Sequence, residues 1–128
     1  VTGVQTCALP IYCFVATVGG VRLTEPATDM AVALAIASGA ADFALPSGLV
    51  AFGEIGLAGD VRPIGSLDRR LAEAARLGFT DAIAPSRTLR ARGGGAPHPT
   101  SMHVHEVDSV QDALKTAQRL AASAARGQ

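Results

Sequence analysis

The apolar positions along the chain change spacing several times, and each change predicts an element. YCFVATVGGVRL, residues 12–23, is β-branched and aromatic and is broken by Gly19 and Gly20, which predicts two short strands around a turn or bulge. TEPATDMAVALAIASGA then predicts a helix, with Thr24 or Glu25 at the N-cap, Pro26 in the first turn, Asp29 facing the positive helix end and Gly39 as the stop. Its body is apolar nearly all round, as in a buried helix packed against a sheet. GLVAFGEIGLAGDVRPIG alternates like strands interrupted by glycines.

SLDRRLAEAARLGF returns to helical spacing. Ser66 stands as N-cap, Leu67, Leu71 and Ala74 share a face, and Gly78 follows as the C′ residue. TDAIAP reads as a short buried strand stopped by Pro85, SRTLRARGGGAPHPT as a flexible basic loop, SMHVHEV as a last strand, and DSVQDALKTAQRLAASAARGQ as a capped helix with a fraying tail. The order βαβαβ with a closing helix implies an α/β domain, a mixed sheet packed with helices.

Val1–Ile11 is set aside on other grounds. VTGVQTCALPI back-translates without a gap into a common sequencing-library adapter and is expected to be an assembly artefact, leaving residues 12–128 as the domain. Cys7 goes with it, so no intramolecular disulfide is expected, and Cys13 reads as a small buried hydrophobe. Eleven basic and eleven acidic side chains cancel, so the whole-chain field announces no nucleic-acid partner. The longest apolar run, Met30 to Ala41, is too short to span a bilayer, and a cytoplasmic domain without membrane contact is expected.

VGGVRLTEPATDMAVALAIAS followed by LVAFGEIGLAGDVRPIGSLDRRLAEAARLGF resembles the C-terminal Lon-protease-like domain of bacterial DNA repair proteins of the RadA (Sms) family. The motifs that carry it are EPA-[AT]-D, GE-x-GLAG-x-VRP and a helix bearing EAARLGF. The likeness is strong from about Phe14 to Pro85, weakens through the basic loop and recovers in the last strand and helix. It implies a Lon proteolytic-domain fold of the α+β sandwich type. It also implies a parent with a four-cysteine zinc finger and a RecA-like ATPase domain, acting with RecA on branched recombination intermediates. This sequence has no paired C-x-x-C and no G-x-x-x-x-G-K-[ST], so zinc, ATP and magnesium are expected only in parts of such a parent outside it, and no cofactor or metal is assigned to these residues.

Active Lon-type peptidases use a serine at the start of the first helix and a lysine at the start of the second. The resemblance puts Ala27 at the serine position and Asp68 at the lysine position, so no catalytic residue is carried over. Independently of any family, the only lysine is Lys115, in the terminal helix far from either helix start, so no serine–lysine dyad is expected, and no combination of the serines with the histidines has a recognisable nucleophile elbow. Thr28, beside the vacant position, is read as stabilising the first turn, and Asp68 as an acid favoured by the helix dipole. His103 and His105 share a strand face without an evident third ligand and are read as a solvent-facing pair, with His98 part of the Pro-rich loop.

Gly53, Gly56, Gly59 and Pro63 then read as shape-determining residues, retained for a scaffold. The resemblance implies a hexameric ring of identical copies with a heterologous interface. Arginine supplies ten of the eleven basic residues, and its planar fork suits phosphates. Arg62, Arg69 and Arg70 around the second helix and Arg87, Arg90 and Arg92 in the loop are the candidates for contact with single-stranded or branched DNA, with Arg69 and Arg76 also spaced to pair with Glu73. Two alternatives stand beside the scaffold: a serine peptidase with a displaced dyad, and a monomeric module whose groove takes a peptide.

Overall fold

The computed structural model describes residues 13, 15–86 and 101–127. After an irregular segment and a 3-10 turn at Pro26–Thr28 come α1 (Asp29–Ala40), β1 (Leu49–Ala51), β2 (Glu54–Ile55), β3 (Val61–Arg62), α2 (Leu67–Arg76), β4 (Asp81–Pro85), β5 (His103–Val107) and α3 (Val110–Arg126). Strands β1, β4 and β5 form a parallel sheet in that order, and β2 and β3 form a separate antiparallel hairpin. The α/β class expected from the alternation of patterns is therefore the observed one.

β4 lies between its two partners, with Ile83 in register with Ala51 on one side and His105 on the other. Ala82, Ile83, Ala84 and Pro85 are all buried, the run without alternation that a strand covered on both faces requires. On one face Met30 and Leu34 of α1, Val61 of the hairpin and Ala113 and Ala117 of α3 close over Ile83 and Val107. On the other face Leu71 and Ala74 of α2 pack with Ala82 and Met102, joined by Val50, Phe52, Phe79 and Val104. The result is three layers, α1 and α3, then the sheet, then α2.

The helix ends follow the chemistry of their residues unevenly. In α3 the Ser109 hydroxyl accepts the Asp112 N–H at 3.1 Å, satisfying a first-turn donor as a cap should. α2 stops as expected: Gly78 takes φ 95°, its N–H reaches Ala75 O at 3.0 Å, and the Phe79 N–H reaches Ala74 O at 3.1 Å. Ser66 does not cap α2. It holds a left-handed conformation, φ 56°, in which its hydroxyl makes no hydrogen bond to the first turn while its carbonyl accepts the Arg70 N–H.

Three further expectations are corrected. Gly39 does not end α1; the helix runs to Ala40, and Asp42 supplies the left-handed residue at φ 52° while Phe43 closes the end by donating to Ser38 O. A glycine inside a helix costs only about 1 kcal/mol, so the packing of Phe43 on the core outweighs it. α1 is not buried all round either: Met30 and Leu34 are buried, but Ile36 is exposed, because α3 and the hairpin cover only one side. Finally, no strand forms among Val15–Leu23. A strand needs a ladder partner, and this stretch has none among the described residues, so Val15, Val18, Val21, Leu23 and Cys13 are exposed. The basic loop and Val1–Ile11 lie outside the described residues.

Candidate functional site

The start of α1 is fastened to the link between β1 and β2 and to β2 itself. Gly53 donates its N–H to Ala27 O at 3.0 Å and accepts the Met30 N–H at 3.0 Å, and Asp29 Oδ2 accepts the Ile55 N–H at 3.2 Å. Thr28 turns its hydroxyl back onto Glu25 O at 2.7 Å, the local role its position suggested. Ala27, at the position the resemblance gives to serine, is 4% exposed and presents a methyl group to its surroundings. A Cβ on Gly53 would come to 3.1 Å from Val61 Cγ1 and 3.5 Å from Met30, so glycine is what allows this approach. Gly56 faces the Asp60 carboxylate closely in the same way, and Gly59 turns the hairpin at φ 81°.

The start of α2 is tied to the same region from the other side. Arg70 donates from Nε to Gly65 O at 3.0 Å and from Nη2 to Glu25, the residue before the 3-10 turn. Asp68, at the position the resemblance gives to lysine, is half-buried in the first turn of α2. Lys115 is on α3, where it lines a polar groove with His105, Asp112 and Arg119. The start of α1 thus carries a buried alanine and the start of α2 a half-buried aspartate, at the positions the resemblance gives to serine and lysine.

Of the three candidate DNA-binding arginines among the described residues, Arg62 and Arg70 are in ion pairs with acidic partners. Arg62 pairs with Glu54 at 3.3 Å and Asp60 at 3.2 Å, which together hold its guanidinium above its ordinary value. Arg76 forks onto Glu73 at 2.9 and 2.5 Å and holds that carboxyl below its usual range. Arg69 is exposed, next to an open groove of about 530 Å³ between α2 and the edge of β1 that has no strand partner among the described residues, walled by Val50, Phe52, Ala74, Leu77 and Phe79. That groove was not anticipated; its one signal in the sequence is the pair of large apolar residues flanking Gly78. Arg87, Arg90 and Arg92 lie outside the described residues. Pro63 is exposed between β3 and α2.

His105 does not face solvent as one of a pair. Its Nε2 lies 3.0 Å from Asp81 Oδ1, half-buried, while the Thr80 hydroxyl donates to Asp81 Oδ2 at 2.9 Å. Burial works to raise the Asp81 carboxyl, but the hydrogen bonds from His105 and Thr80 and the charges of His105 and His103 outweigh it, and the group sits below its ordinary value. A carboxyl depressed in the folded state gives stability that is present above its unfolded value, near about 3.9, and is lost as pH falls through the folded value. Asp81→Asn is therefore expected to flatten the acid limb of stability below about pH 4. Urea midpoints measured down the pH scale check this, and an acid limb as steep as that of the unaltered chain contradicts it.

The model of the Lon protease (S16) C-terminal proteolytic domain matches residues 13–119. The chain belongs to this Lon C-terminal domain family. Within it, the Lon-type domain is 44% identical over 123 residues to the DNA repair protein RadA of Mycolicibacterium smegmatis, covering 94% of this chain and 25% of that protein. It is 45% identical over 102 residues to RadA of Mycobacterium tuberculosis H37Rv, 80% of this chain and 20% of that one, and 43% identical over 101 residues to RadA of Escherichia coli K12, 79% and 21%. The chain therefore spans a quarter or less of the length of these relatives. Among the described residues, no helix of the Lon-type domain is long and apolar enough to cross a membrane.

Proposed function

We propose that this chain is the non-proteolytic, Lon-like scaffold of a RadA-type ATP-dependent DNA repair protein, assembling through contacts between copies into a hexameric ring. In this reading the ATP, magnesium and zinc sites belong to other domains of the parent, which works in the cytoplasm on branched recombination intermediates alongside RecA. The observation that carries it is the start of α1, where a buried Ala27 is held by reciprocal hydrogen bonds with Gly53 in the place of a nucleophile. Asp68 in place of the lysine, and Lys115 in the groove beside α3 rather than at either helix start, support it. A serine-reactive phosphonate is expected to leave the chain unlabelled. Stoichiometric labelling that one serine substitution abolishes would overturn the reading in favour of a displaced dyad.

DNA contact is assigned to the Arg62–Arg70 group, of which Arg62 and Arg69 are exposed. The loop arginines extend the same proposal. Replacing Arg69 and Arg70 together by alanine is expected to weaken single-strand binding and to reduce the slope of log affinity against log salt by about 1.4, two phosphates at ~0.7 each. An affinity and slope equal to those of the unaltered chain would remove these residues from the DNA interface.

A further inference from the structure

The structure carries an apolar knob and an apolar groove on opposite faces of its sheet. The knob is Leu57, fully exposed at the tip of the β2–β3 hairpin. Its backbone is set before any partner arrives. Gly56 donates to Asp60 O at 2.8 Å and Gly59 to Gly56 O at 3.0 Å, while Val61 donates to Asp108 O and Val110 to Gly59 O, both at 2.9 Å, fixing the hairpin to the start of α3. A lone leucine held out on a rigid turn loses little freedom on docking, so its burial is gained almost undiminished. The hairpin packs with α1 and α3, whereas the groove lies with α2. A chain cannot fill its own groove with its own tip.

We infer that Leu57 of one copy enters the groove between α2 and the β1 edge of the next, against Val50, Phe52, Leu77 and Phe79. The inference rests on the scaffold reading and names the surface through which it is built. Charge points the same way. Glu54 and Asp60 stand beside the tip with one arginine between them, and Arg69 and Arg70 line the groove with one glutamate, Glu73. Two different patches in contact make a heterologous interface, which closes into a ring when its rotation divides the circle. One leucine does not make the roughly 800 Å² per partner of a stable contact. Exposed Ala58 at the tip and Leu77, exposed at the groove, extend it.

Sedimentation velocity on the unaltered chain, on Leu57→Asp and on Leu77→Asp tests this, since both side chains are exposed and unfolding is checked by circular dichroism. Each variant alone is expected to sediment as a monomer where the unaltered chain is oligomeric. Mixed, the two should form a one-to-one dimer and nothing larger, because Leu77→Asp keeps a good tip and Leu57→Asp a good groove. Oligomers that persist in folded Leu57→Asp overturn the knob and leave the scaffold reading standing. Monomers that fail to pair on mixing overturn the match between tip and groove. An unaltered chain that is monomeric throughout overturns both readings. Because Arg69 faces the acidic tip in this contact, the DNA titration of the Arg69 and Arg70 variant is read beside its sedimentation.

Discussion

Replacing Ile83 by alanine is expected to lower the unfolding free energy by about 3 kcal/mol, within the range for emptying a fully buried isoleucine site. Ile83 is the centre of the middle strand and is 0% exposed. Its neighbours decide where in the range the effect falls. Ala113 and Ala117 face it from α3, and Ala51 lies beside it on β1. Short side chains cannot lean into the space that the lost carbons leave, so most of the cavity remains. Against a total stability of about 5 to 15 kcal/mol for an ordinary domain, the change is large. Urea unfolding followed by circular dichroism measures it. A loss below about 1 kcal/mol would mean that the site collapses and that the packing between sheet and α3 is looser than described.

Gly53→Ala is expected to cost about 2 kcal/mol, from overpacking rather than from a cavity. The added methyl would meet Val61 Cγ1 at 3.1 Å and Met30 at 3.5 Å. Val61 is 1% exposed and Met30 0%, so neither can withdraw toward solvent. The backbone cannot shift freely, since the Gly53 N–H and C=O are both committed to the start of α1. The strain therefore reaches the start of α1, where Ala27 lies. Thermal unfolding of the variant checks the prediction, and a melting temperature unchanged from that of the parent chain would show that the close approach at Gly53 is not a constraint. Gly59→Ala makes a useful comparison, because there the strain comes from φ 81° alone and nothing lies within 4 Å.

Much of this fold was legible in periodicity. The α2 stripe of Leu71 and Ala74, the Gly78 stop, the unalternating β4 and the Ser109 cap of α3 all follow local rules that tertiary structure left intact. The departures share a cause, which is that local pattern does not say what lies opposite. Val15 to Leu23 has strand composition but no ladder partner among the described residues, and Ile36 has an apolar side chain with nothing over it. Ser66 has the residue type of a cap but a backbone that points its hydroxyl elsewhere.

The candidate site was legible in part. The resemblance implies the absence of the dyad from EPATD and PIGSLDRR, and Gly53 and Gly56 could be marked as residues needing either a close approach or a positive φ. The pairings could not. Glu25 reaches Arg70 across 45 positions and Asp81 reaches His105 across 24, and no local rule joins residues so far apart. The groove beside β1 was equally hidden, because it is formed by a strand edge, the end of α2 and the turn after it.

The measurement that bears most directly on the scaffold account is the mass of this chain in solution, by sedimentation velocity over a wide concentration range without DNA or nucleotide. The account predicts a discrete hexamer in equilibrium with its subunit. A species that remains monomeric at the highest concentration would contradict it and leave a solitary module that meets other proteins one at a time.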